Sequence, residues 1–141
     1  MGDEKSDSSY AKLVDVVVHN QLPQNRIEEK LVKFLSTNNL TIDDIDMLVL
    51  GTNGDVDFDG IYSDLQKTIF SNAQQIYYKH LSGEYNTASA FGFWTVCKIL
   101  KDQVIPENLK LNDVKKSAIK NVLLYNQYRS ENHGFTLLRS C

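Results

Sequence analysis

The sequence predicts an α/β domain on a mostly parallel sheet, and three observations predict it. Short β-branched or apolar runs alternate with helical stripes along the chain. The last two apolar runs are joined by a polar turn with no helix between them, which adds one antiparallel strand. A stretch at residues 87–101 carries no charge in its first turns (Ala88, Ser89, Ala90, Phe91, Gly92, Phe93, Trp94), the pattern of a helix buried all round. The resulting order is β-α-β-α-β-α-β-β.

Residues 1–9 are polar and acidic, with no apolar run for a secretion apparatus to read, and form a flexible leader to a domain over residues 10–141. Met1, Gly2 and Ser6 match the myristoylation pattern only formally. Residues 13–19 are β-branched and read as a strand buried mostly on both faces. Ile27, Leu31, Phe34 and Leu35 fall at helical spacing, in a helix ending near Asn38 and Asn39. A turn of helix over residues 41–46 precedes an apolar strand at residues 47–50, closed by Gly51.

Ile61, Tyr62, Leu65 and Ile69 mark a second helix, with Asp57 or Asp59 placed to cap its free amides. Residues 75–78 make a third strand, and the uncharged helix follows. Pro106 and the polar residues up to Lys116 form a surface loop. Residues 121–126 and 135–139 are the closing strands, with a polar turn over residues 129–133.

Composition narrows the function. The 141 residues, 42% hydrophobic and 23% charged, suit one folded domain and exclude disorder. A formal charge of -3 and the lack of any Lys/Arg block exclude a nucleic-acid surface. No segment reaches membrane-spanning length. Two cysteines, Cys97 in an apolar run and Cys141 at the end, support neither a disulfide framework nor a zinc site, and fit a reducing, cytoplasmic setting.

Asp55-Val-Asp57-Phe-Asp59-Gly60 opens like a calcium loop, yet its twelfth position is Gln66, which offers no bidentate carboxylate, and a strand precedes it where a helix is required. A solvated acidic turn capping the next helix is the simpler reading. There is no nucleophile elbow, phosphate loop or dinucleotide fingerprint. His19 and His80 sit at strand ends as structural residues, whereas His133, in the last turn, stands where parallel sheets place sites. Cys97, within the buried helix, is a poor nucleophile.

Three stretches carry a resemblance: Thr41-Ile-Asp-Asp-Ile-Asp-Met-Leu-Val-Leu-Gly-Thr-Asn-Gly-Asp, Tyr78-Lys79-His-Leu-Ser-Gly83-Glu84-Tyr-Asn-Thr-Ala-Ser-Ala, and Asn126-Gln-Tyr-Arg-Ser-Glu-Asn-His-Gly-Phe-Thr-Leu-Leu. In order and spacing they resemble the C-terminal half of a β-ketoacyl-acyl-carrier-protein synthase. The resemblance implies half of a thiolase-like fold, two similar halves packed around central buried helices, with residues 87–101 as one of that pair. It implies acyl carrier protein or an acyl thioester as partner, with an N-terminal synthase half or a homo-oligomer, in fatty acid or polyketide biosynthesis. It implies no cofactor.

The departures matter. The family's nucleophilic cysteine belongs to the N-terminal half, so condensation by this chain alone is not expected. The first catalytic histidine would fall on Gly51 and the second on Glu84. Those imidazole N–H groups stabilise the enolate formed on decarboxylation, which glycine cannot do and an ionised Glu84 opposes. The family's glycine-rich turn stands here as Asn126-Gln-Tyr128-Arg-Ser-Glu-Asn-His133. Gly51, Asn53, Asn126 and Tyr128 are thus placed along a substrate pocket. Such losses resemble the non-condensing chain-length-factor subunits. Two alternatives stay open: a cation module on Asp55, Asp57 and Asp59, and an acid/base site assembled from Lys79, Glu84 and His133.

Overall fold

The computed structural model describes residues 4–141, so the start of the leader, with Gly2 of the lipidation pattern, lies outside the described residues. Five strands form one sheet: β1 (Lys12–Asn20), β2 (Met47–Leu50), β3 (Gln74–Tyr77), β4 (Asn121–Tyr128) and β5 (Asn132–Arg139). Their order is β1-β5-β4-β2-β3. β2 pairs in parallel with both β3 and β4, while β5 pairs antiparallel with β4 and β1, so β5 alone runs against the other four.

The helices are α1 (Ile27–Thr37), α2 (Gly60–Lys67), α3 (Lys79–Ser82) and α4 (Ala88–Asp102). α1 and α2 cover one face of the sheet, α4 the other. The strand period of two sorts β2 between them: Leu48 and Leu50 join the α1/α2 core around Leu31, Phe34, Tyr62 and Leu65, and Met47 and Val49 join the α4 core around Val96, Ile99 and Leu124. Every residue of β2 is buried, which is why four apolar residues suffice to define it.

Four expectations need correction. β1 is an edge strand whose Val14 and Val17 pack against the α1/α2 core, while Val16 and Val18 stand 50% and 62% exposed on the α4 side, which α4 does not cover so far out. Neither Asp57 nor Asp59 caps α2 through its side chain. Ile69 lies beyond the end of α2 and packs against the core from the following turn.

The fourth correction concerns α4. Gly92, Val96, Ile99 and Leu100 face the sheet, but Ser89, Ala90 and Trp94 are exposed, Trp94 at 56%. The helix has a sheet on one side only, so its uncharged flank meets solvent. It sits very close to that sheet: a Cβ on Gly92 would lie 2.7 Å from the Tyr78 ring. The leader contacts α4 as well, since the Lys101 ammonium donates to the Asp7 and Ser9 carbonyls.

Candidate functional site

Parallel strands gather loops at their C-terminal ends, and there the sequence candidates converge. After β2 the ladder continues one residue, with Gly51 N–H donating to the Tyr125 carbonyl. A Cβ at this position would stand 2.1 Å from Asn126 Oδ1 and 3.0 Å from the Tyr62 hydroxyl. Only glycine therefore lets Asn126 lie over the end of β2, and a histidine cannot occupy position 51 with Asn126 as placed.

The acidic loop folds on itself. Asp59 Oδ2 accepts from the amides of Asn53 (3.1 Å) and Gly54 (2.8 Å), and Asp55 Oδ1 accepts from the amide of Asp57 (3.0 Å). The carboxylates satisfy backbone amides, and no group of three metal-ligating side chains occurs among the described residues. The loop's main product is the position of Asn53, whose Nδ2 donates to Glu84 Oε2 at 2.9 Å.

Glu84 is brought back by the turn at Gly83, whose φ of 78° lies in the region that favours glycine. Its Oε2 also accepts from Lys79 Nζ at 2.5 Å; the lysine side chain is 1% exposed and the glutamate's 38%. A buried ammonium demands such a partner. Glu84 borders two adjoining clefts. One, of about 360 Å³, is lined by Tyr85, Asn86, Ser89, Asn126, Tyr128 and Asn132; the other, of about 240 Å³, by Asn53, Asp55, Phe58, Gln127 and Arg129. Tyr78 lies beneath with its hydroxyl 3.5 Å from Asn126 Oδ1, and burial pushes its pKa well up, so the phenol stays protonated.

His133 is not in the turn and lines neither cleft. Arg129 and Ser130 both adopt left-handed conformations, and the Glu131 amide closes on the Tyr128 carbonyl, so the hairpin is tight and His133 becomes the second residue of β5. The ring is fully buried, with Nδ1 2.9 Å from the Tyr125 hydroxyl and Nε2 without a partner. Burial lowers its pKa, so it is a neutral core residue. An acid/base site joining Lys79, Glu84 and His133 is not assembled.

The sequence reading overlooked the amides of Asn86, Gln127 and Asn132 in the clefts, and Tyr62, whose hydroxyl accepts from the Gln127 amide at 2.8 Å. A cluster of Asn and Gln in the two segments entering the strand ends was the available signal.

No protein-family model matches the chain, and no curated protein does. Among solved structures it is similar to one described as the ishigamide ketosynthase/chain length factor, with a TM-score of 0.75 and 15% identity, over 94% of this chain and 38% of that chain. The chain thus spans well under half the length of the structure it matches. The likeness establishes a fold of the ketosynthase/chain-length-factor kind.

Proposed function

We propose that this chain is a ketosynthase-like half-domain that shapes an acyl-thioester site together with a second half or a second copy, and does not condense on its own. The observation that carries this is the Glu84 carboxylate, held by Lys79 and Asn53 at the position where the resemblance puts an imidazole. Decarboxylating a malonyl thioester loads negative charge on the thioester oxygen, and catalysis needs hydrogen-bond donors aimed there. Glu84 presents an acceptor, and the Lys79 ammonium that could donate is engaged by Glu84 and almost wholly buried. The cleft is equipped to bind: the side-chain amides of Asn86, Asn126 and Asn132 that line it match the amide groups of a carrier-borne thioester arm.

The bare flank of α4 supports the same reading. Beside Trp94 runs a groove of about 440 Å³ lined by Leu81, Phe91, Val104, Pro106 and Leu109. Apolar surface of this kind drives association. Incubating the chain with malonyl-acyl carrier protein tests the proposal. We expect saturable binding that Asn126→Leu weakens, with no release of carbon dioxide. Turnover by the wild-type chain that is lost in Glu84→Ala would assign the site to catalysis and overturn it.

A further inference from the structure

The larger of the two clefts that meet at Glu84 is lined by one ionised side chain, Glu84 itself, among neutral tyrosine, asparagine, glutamine and serine groups. Both donors to this carboxylate use the same oxygen: Lys79 Nζ at 2.5 Å and Asn53 Nδ2 at 2.9 Å reach Oε2. Oε1 accepts from no group among the described residues, and the side chain is 38% open. Held through Oε2, the carboxylate offers Oε1 as a positioned acceptor on the cleft wall. The amides and hydroxyls around it donate and accept alike, whereas a carboxylate only accepts. Glu84 is therefore the group that sorts ligands by the hydrogen-bonding group they carry. Its charge is already matched by the Lys79 ammonium, and in the smaller cleft Asp55 and Arg129 offset each other. A net-neutral site favours an uncharged donor, a hydroxyl, over an ammonium.

We propose that the acyl group taken by this cleft is a hydroxyacyl thioester, whose hydroxyl donates to Glu84 Oε1. The inference rests on the acyl-thioester reading above and deepens it by naming the substrate class. In that reading Glu84 lies beside the thioester carbonyl, so the hydroxyl belongs within two carbons of it. A keto group at the same place turns lone pairs toward Oε1, and an unsubstituted chain leaves that oxygen without a donor. A site built around a substrate hydroxyl rejects analogues that lack it, because its own polar group is then left unpaired. The exposed rings of Tyr85 and Tyr128 line the same cleft and supply apolar surface for the acyl carbons.

The test is isothermal titration calorimetry of the full chain with four pantetheine thioesters: butyryl, 2-hydroxybutyryl, 3-hydroxybutyryl and acetoacetyl. We expect the better of the two hydroxybutyryl forms to bind about tenfold more tightly than butyryl, with acetoacetyl the weakest. Glu84→Gln gives the sharper readout. Its carbonyl oxygen stays with Lys79 and Asn53, which turns Nε2, a donor, into the cleft, so the order should reverse in favour of acetoacetyl. Should that variant fail to fold by circular dichroism, Glu84→Gln combined with Lys79→Met removes the stranded ammonium and should lose the hydroxyl preference. Equal affinities for all four thioesters, or a hydroxyl preference that persists in either variant, would overturn this inference and leave the acyl-thioester reading standing. Binding of none of the four overturns both.

Discussion

Replacing Glu84 by Ala should destabilise the chain far more than replacing Lys79 by Met, although Glu84 is the more exposed of the two. The asymmetry follows from what each substitution leaves behind. Glu84→Ala strands an ammonium in a side chain that is 1% exposed, while Lys79→Met leaves a carboxylate that still accepts from Asn53 and is 38% open to water. Breaking a fully buried pair costs about 3–5 kcal/mol, and an exposed pair is worth about 0–1 kcal/mol. With one end buried and the other screened, Glu84→Ala should cost about 2–3 kcal/mol. Lys79→Met fills the same volume with apolar atoms and should cost about 1 kcal/mol or less. The double variant should recover most of the Glu84→Ala loss, for a coupling of about 1.5–2.5 kcal/mol. Urea unfolding followed by far-ultraviolet circular dichroism measures all four corners of the cycle. Equal losses in the two single variants, or additive losses in the double, would refute a buried ammonium dependent on Glu84.

Three further outcomes follow from the packing of His133, Gly92 and the β4–β5 turn. His133 has its pKa lowered, first by burial, so between that value and the ordinary 6.5 the unfolded chain binds a proton that the folded chain does not. Stability should be flat near neutrality and fall below pH 6.5 by up to about 1.4 kcal/mol per pH unit, and urea melts should show the slope shrinking in His133→Phe; an unchanged slope refutes it. Gly92→Ala gains about 1 kcal/mol of helix propensity but forces a methyl to 2.7 Å from the Tyr78 ring, an overpacking that costs about 1–3 kcal/mol, so a lower urea midpoint is expected and a higher one contradicts the close approach. Arg129→Asn with Ser130→Gly puts residues suited to positive φ at both turn positions and should raise stability by about 1 kcal/mol, read from the same melts.

The strand and helix order was legible because each element carries its own period. Met47 to Leu50 is apolar at every position since both faces are covered, and Ile27, Leu31, Phe34 and Leu35 mark the single buried stripe of α1. What the local pattern does not encode is what else is present in space. Val16 and Val18 look like core residues but sit at a sheet edge, and the uncharged start of α4 looks interior but has a covering layer on one side only. His133 reads as a turn residue in the sequence because a tight turn through Arg129 and Ser130 lacks the Asn-Gly signature that normally announces one. In the site, the proximity of Lys79 and Glu84 to Gly51, Asn53, Asn126 and Tyr128 is a consequence of strand order, and the Asp59 carboxylate turned inward to loop amides, which no spacing rule foretold.

Docking of a second copy on the flank of α4 around Trp94 is the part of the proposed function that a single measurement reaches most directly. Sedimentation velocity across low to high micromolar concentration measures it on the purified chain, with Trp94→Glu alongside. Concentration-dependent self-association is expected, and the charge at position 94 abolishes it without altering the fold. A wild-type chain that stays monomeric throughout, indistinguishable from Trp94→Glu, contradicts it.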